Sequence, residues 1–181
     1  LFPYTTLFRS SVNRNFGKSD VHVHIAIAPT KKNERFEWFL EKATEIGINE
    51  ITPIICEHSE RKVLKLERMN KILIAAMKQS QRAYLPKLNE PISFESFVTD
   101  KKNSECFIAH CKHEDEKKYL KSALNKGANS LILIGPEGDF SSKEIELATK
   151  QGFSTVSLGE SRLRTETAAI VSCHTINLIN Q

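Results

Sequence analysis

No stretch of the 181-residue chain is apolar for long enough to cross a membrane. Its apolar runs fall far short of the about 20 residues that a spanning helix needs. Cysteine is scarce. Cys56, Cys106, Cys111 and Cys173 form no CxxC pair, and no signal peptide is visible. That speaks against a disulfide-stapled secreted domain and for a reduced, cytoplasmic protein. There is no GxGxxG motif and no Walker-type phosphate loop, so dinucleotide-binding and P-loop enzymes lose their usual support. Internal repeats, low-complexity tracts and, after residue 20, interdomain linkers are also missing. The charge excess is small. A net charge of +4 and a pI near 8.8 permit an RNA or phosphate partner without demanding one. Hydrophobic residues make up 40% of the chain, enough to build one domain core.

What is present alternates between strand and helix signals. Val21–Ala28 is β-branched and partly alternating, which predicts a strand. Asn33 is placed to cap a helix over Glu34–Ile46, with Phe36, Phe39, Leu40 and Ala43 on one face and Gly47 as its stop. Ile51–Ile55 reads as a second strand and Leu66–Arg82 as a second helix, apolar at Met69, Leu73, Ala76 and Met77. Tyr84–Pro91 is extended, and Ser93 starts a short helix through Phe97. Further strands are expected at Cys106–Ala109, Leu131–Ile134 and Ser154–Leu158. Helices are expected at Glu114–Leu124, from the Ser141–Glu144 capping box to Gly152, and from Thr165 to Asn180. This order predicts an α/β fold with a mainly parallel sheet flanked by helices.

Two strand–turn–helix units stand out, Leu131–Phe140 and Ser157–Ala168. Each apolar run breaks into a glycine turn that opens a helix. They predict two adjacent loops at the C-terminal edge of the sheet, where ligands bind in open α/β folds. In Gly135-Pro136-Glu137-Gly138, proline presets a tight turn and glycine permits close backbone approach. The helix behind presents free N–H groups. A plain βα turn accounts for the same residues. In the second loop Arg162 and Arg164 are suited to a phosphate or carboxylate, or to capping the final helix in solvent.

The pair GPEGxFS and LGxxxLRxETA resembles the RsmE family, methyltransferases of the SPOUT class that act on ribosomal RNA. The resemblance extends to Trp38–Gly47, Ile51–Ile54, Glu57–Arg61 and Gln79–Arg82, and spans about residues 22–181. It implies a C-terminal trefoil knot, S-adenosylmethionine (SAM) as cofactor, a homodimer, and methylation of N3 of a uridine in 16S RNA of the small ribosomal subunit. It also implies which residues do this. Ala109, His110, Gly135, Pro136, Glu137, Gly138, Leu158, Gly159, Leu163, Arg164, Thr165, Thr167 and Ala168 would form the cofactor pocket. Uridine N3 must lose its proton, so the site needs a base or a cation that stabilises the anion. Arg82 and Arg164 are the candidates for orienting RNA or that anion, and Glu137 for a base; Glu137 as a turn hydrogen-bonder and Arg82 as a helix-end charge are the plainer readings.

The chain departs from the family pattern. Asp139 stands where GPEGG has its last glycine, and Ser161-Arg162 replaces the Arg-Ile of LGxRILR. The family's N-terminal PUA-like β-barrel is almost absent. Residues 1–10 resemble a translated adapter sequence, residues 11–20 are at most a barrel remnant, and residues 21–181 form the methyltransferase domain. An RNA-binding module inactive through truncation is therefore a second reading. An α/β enzyme with a phosphorylated cofactor ranks last. No metal is expected: Cys106, His110, Cys111 and His113 lack the spacers that aim zinc ligands inward. His22 and His24 share one strand face, as structural or interfacial residues.

Overall fold

The computed structural model describes residue 17 and residues 19–100, 103–112 and 117–181. The expected foreign segment and the barrel remnant fall almost wholly on residues outside this set. The strands are β1 (Val23–Ile27), β2 (Glu50–Ile55), β3 (Lys87–Leu88), β4 (Ile92–Ser93), β5 (Glu105–Ala109), β6 (Lys118–Tyr119), β7 (Ser130–Ile134) and β8 (Ser154–Ser157). The helices are α1 (Asn33–Ile46), α2 (Leu66–Gln79), α3 (Phe94–Thr99), α4 (Leu120–Ala123), α5 (Ser142–Lys150) and α6 (Thr165–Ile179). Every pairing among the described strands is parallel, in the order β3-β2-β1-β7-β5-β8-β6, with β4 also on β2.

Strands covered on both faces read as continuous apolar runs. β7 is the clearest case, buried at all five positions. Alternate side chains divide the core. Ile25, Ile27, Phe107, Ile132 and Ile134 pack with α1, α2, α4 and α6. Ala26, Ile108, Leu131 and Leu133 pack with α3, α5, Phe140 and Phe153 on the other face. The molecule is thus helix, sheet, helix in three layers.

The α1 face formed by Phe36, Phe39, Leu40 and Ala43 is buried as its spacing predicts. So are the Ser93 cap of α3 and the Ser141–Glu144 capping box of α5. Three local expectations are corrected. Asn33 is the first residue of α1 rather than its cap; Lys32 holds the cap position without a side-chain bond. α2 ends at Gln79, before Arg82, because Gln81 takes a positive φ of 54°. Lys118–Tyr119 is an edge strand on β8, so pairing with the sheet overrides the helical pattern, and α4 is one turn long. Residues 114–116 of that expected helix lie outside the described set.

The largest correction concerns topology. β7 and β8, which carry the two glycine turns, are not neighbours. β5 lies between them and pairs with both. The loop after β5 therefore sits between the two glycine loops. After β8 the chain turns back, and α6 packs against α1, β1 and β7.

Candidate active site

The C-terminal ends of β5, β7 and β8 open on one cleft of about 1040 Å³. Its apolar floor includes Ala109, Ile134, Val156, Leu158, Leu163 and Ala168. Its polar wall carries Arg35, Lys112, Lys117, Arg162 and Arg164 against Glu137, Asp139 and Glu160, so positive charge is in excess. A cleft with an apolar floor, a few converging polar groups and this volume is suited to one cofactor-sized molecule.

The first glycine turn is held from several sides. Phe140 is fully buried, and a Cβ on Gly135 would stand 3.1 Å from its ring. Asp139 takes a left-handed φ of 63°, a conformation usual for glycine. Its carboxylate offsets that cost by accepting from the backbone N–H of Cys111 and of Phe140, both at 2.8 Å. Glu137 accepts from the N–H of Lys31 at 2.9 Å, tying the turn to the β1–α1 loop. Arg61 in turn donates to Thr30 O and Lys31 O at 3.2 and 2.7 Å. His58 donates from Nδ1 to Asp139 O at 2.9 Å, and Glu57 N–H donates to Glu144 Oε1 at 2.9 Å. The β2–α2 loop is thus a brace for the turn, a role invisible in local sequence.

The second loop is more open. Gly159 has φ 137°, and Ser157 Oγ bonds its N–H and C=O. Arg164 occupies the cap position of α6 in extended conformation. Arg162 and Arg164 are exposed at the cleft. Between the loops, Lys117 Nζ donates to His110 O and His110 Nδ1, both at 2.9 Å.

Ala109, His110, Gly135, Pro136, Glu137, Leu158, Gly159, Leu163, Arg164, Thr165 and Ala168 line this cleft together. Gly138 and Thr167 do not. Gly138 faces the β2–α2 loop, where a Cβ would meet His58 Cβ at 3.1 Å. Arg82 lies elsewhere. Its guanidinium donates to Glu45 O at 2.8 Å and to Ile46 O, at the end of α1, and it borders a smaller cavity beside Gly47. Arg35, Lys117 and Tyr119 line the cleft without having been singled out from sequence. Arg35 lies inside the first turn of α1, and no local sequence signal marks it as a cleft residue.

The thiols and histidines do other work. Burial pushes the thiol of Cys173 up to about 12 and raises that of Cys56 as well, so neither is a ready nucleophile. Cys106 donates to Ser104 O at 3.3 Å, Cys111 is exposed, and His113 lies outside the described residues. No group of three His, Cys, Asp or Glu side chains among the described residues is placed to hold a metal. His22 Nε2 lies 3.0 Å from Glu50 and His24 Nε2 lies 2.8 Å from Thr52. Among the described residues no helix is long and apolar enough to cross a membrane.

Comparison with known proteins bears on this cleft. A family model described as an RNA methyltransferase domain matches residues 17–177. Ribosomal RNA small subunit methyltransferase E of Mesomycoplasma hyopneumoniae is 37% identical over 161 residues, covering 86% of this chain and 68% of the relative. The Synechocystis protein of the same name is 34% identical, with 87% and 53% covered. The chain thus spans between about half and about two thirds of these relatives. Among solved structures, a probable rRNA-methyltransferase from Porphyromonas gingivalis superposes with a TM-score of 0.80 at 46% identity, over 87% of this chain and 68% of that one. A Legionella pneumophila protein proposed to be a methyltransferase, solved in complex with the bound cofactor SAM, gives 0.82 at 32% identity, over 91% and 69%. The chain belongs to the RNA methyltransferase domain family, within its ribosomal RNA small subunit methyltransferase E group.

Proposed function

We propose that this chain carries a SAM-dependent methyltransferase domain that acts on N3 of a uridine in 16S ribosomal RNA of the small subunit. The observation that carries the reading is the convergence of the Ala109–Lys112, Gly135–Phe140 and Leu158–Thr165 loops on one cleft. The SAM held by the Legionella relative supports it. The residues present fit the cofactor: an apolar floor for a purine ring, small Ala168 at the start of α6, and a first turn too crowded by Phe140 to take a side chain at Gly135. The cofactor, when bound, supplies an activated methyl on sulfur.

The protein supplies position and electrostatics. The floor residues and the two glycine loops hold and orient the cofactor. The positive wall attracts RNA phosphates, and the exposed side chains of Arg162 and Arg164 are able to swing toward them. Arg164 borders the same cleft, on the loop that enters α6. Glu137 is the weaker choice for a base, since one oxygen is engaged with Lys31 N–H and fixes the loop. Arg82 is farther from this role, with its guanidinium on the α1 carbonyls.

The same reading takes residues 21–181 as the methyltransferase unit and its C-terminal passage as a trefoil knot. β5 between β7 and β8, with α6 packed back on β1, supports threading. It takes the protein as a cytoplasmic homodimer. The outer side of α6, with half-buried Ile170 and Val171 and exposed Leu178, is apolar enough to pair with a second copy. The second reading, an RNA-binding module without activity, draws on Ser161-Arg162 in the second glycine loop. Calorimetry with SAM separates the two: no binding favours the module. The test of activity is methyl transfer to assembled small subunits followed by nucleoside analysis. N3-methyluridine is expected, and a different methylated base would overturn the assignment.

A further inference from the structure

Arg35 and Glu166 form a pair that neither strength nor local preference explains. Arg35 lies in the first turn of α1, where the helix dipole opposes a cation. Its side chain is two-thirds buried and lines the cleft. Glu166, in the first turn of α6, is 5% exposed. Arg35 Nε stands 3.6 Å from Glu166 Oε1, too far for a hydrogen bond, and among the described residues Glu166 Oε2 has no hydrogen-bond partner. A guanidinium fork can meet a carboxylate with two parallel bonds, and here it makes none. A buried carboxylate left half-satisfied beside a loosely held cation is a poor stabilising device. A residue placed against local preference, at the cost of an unsatisfied partner, marks a functional position.

We propose that Arg35 is a further catalytic residue, whose guanidinium receives the negative charge that develops on the uracil ring. The inference rests on the methyltransferase reading above. In that reaction the N3–H bond breaks and the proton passes to solvent or a base. The electron pair left on N3 forms the bond to the methyl carbon, the carbon–sulfur bond breaks, and its pair stays on sulfur. The sulfonium becomes a neutral thioether and the product base is uncharged. Between the first and second events, negative charge is shared by N3 and the two flanking carbonyl oxygens. A planar fork of donors matches that edge better than an ammonium does. Glu166 is a positioning residue. It keeps Arg35 at the cleft against the α1 dipole, and its loose contact leaves the terminal guanidinium nitrogens to the substrate. Arg35 thus takes the role for which Arg82 was a sequence candidate.

The test uses the full chain with Arg35→Gln, Arg35→Lys and Glu166→Gln, each first checked for a cooperative melt. Calorimetry with S-adenosylhomocysteine reads the cofactor site, and single-turnover methyl transfer to small subunits is followed against pH. For Arg35→Gln, affinity for S-adenosylhomocysteine should stay within about threefold, while methyl transfer near neutral pH falls by about 100-fold, as for other lost anion-stabilising donors. The acid limb of the pH profile should move upward, because the ring must be deprotonated with less help. A subunit carrying 5-fluorouridine at the target, whose N3 proton is more acidic, should recover most of the loss. Arg35→Lys should fall between, and Glu166→Gln should lower kcat without changing KM for the subunit. An unmoved acid limb with no recovery by 5-fluorouridine overturns the proposal. So does a loss of S-adenosylhomocysteine affinity beyond about tenfold, the scale of one charged contact, which would assign Arg35 to the cofactor carboxylate. If the unaltered chain makes no N3-methyluridine, the underlying reading fails, and this inference with it.

Discussion

The carboxylate of Asp139 accepts a hydrogen bond from the backbone N–H of Cys111 at 2.8 Å, and so joins the loop after β7 to the loop after β5. Asp139 holds a φ of 63° to do this. The aspartate therefore carries both a local cost and a bond that glycine cannot make. Asp139→Gly should relieve the backbone and lose the tie, a nearly balanced exchange in stability, while weakening cofactor binding because the two loops come apart. Asp139→Ala keeps the strain and loses the bonds, and should destabilise by about 2 kcal/mol. Denaturant unfolding and calorimetry with SAM read the two effects. Equal stability of the Ala and Gly variants would contradict the account.

Glu144 closes the cap of α5 and joins it to the β2–α2 loop. Its oxygens accept from Ser141 N–H at 2.8 Å and Glu57 N–H at 2.9 Å, while its own N–H is bonded by Ser141 Oγ. Glu144→Ala should cost about 2–3 kcal/mol, a lost capping box plus a stranded Glu57 N–H. Glu144→Gln retains an acceptor and should cost less. The midpoint of urea unfolding, with an unchanged slope, is the measurement.

Arg82 and Gly47 meet at the end of α1. A Cβ at Gly47 would stand 2.8 Å from the Arg82 guanidinium, in a backbone region of φ 122°. Gly47→Ala should destabilise by about 2 kcal/mol from strain and collision together. In an Arg82→Ala background the same change should cost measurably less, since only the strain remains. Arg82→Ala alone should cost about 1 kcal/mol through the lost bonds to the α1 carbonyls. Its methyl transfer per folded molecule should stay close to that of the unaltered chain, and a large loss there would restore Arg82 to the chemistry.

Glu50 gives a pH dependence. Burial pushes its carboxyl upward, but the Asn89 amide, the charge of His24 and the hydrogen bonds of His22 and Lys87 outweigh it and hold it at about 2, below the ordinary 4.5. A group depressed in the folded state stabilises fully above its unfolded pKa and loses that contribution as pH falls through the folded value. Thermal melting should therefore decline between about pH 4.5 and 2, and Glu50→Gln should flatten that limb. Identical limbs in both proteins would remove Glu50 from the acid response.

Much of this arrangement is legible in the chain itself, and the reasons differ by element. Phe36, Phe39, Leu40 and Ala43 announce α1 because helical periodicity is local. The Ser141–Glu144 box announces α5 for the same reason. Lys118–Tyr119 escaped, because an edge strand of two residues exists only by pairing with β8. The insertion of β5 between β7 and β8 escaped too, since strand order is a property of tertiary contacts that no local pattern carries. At the cleft, the residues on glycine turns and strand ends were readable. Arg35 was not, because its importance lies in Glu166, more than a hundred residues later. The β2–α2 brace, with His58 and Arg61, is hidden in the same way.

The position of α6 has a consequence for timing. It is the last of the described elements in sequence, yet Ala169, Cys173 and Ile176 fill the core beside α1, and Leu163 to Ala168 close one side of the cleft. Contacts so distant in sequence form late and slowly. Until α6 docks, the earlier strands and helices can pair, but the cleft lacks one wall. The cleft is therefore complete only once α6 is docked, and a molecule bound there stabilises that docking.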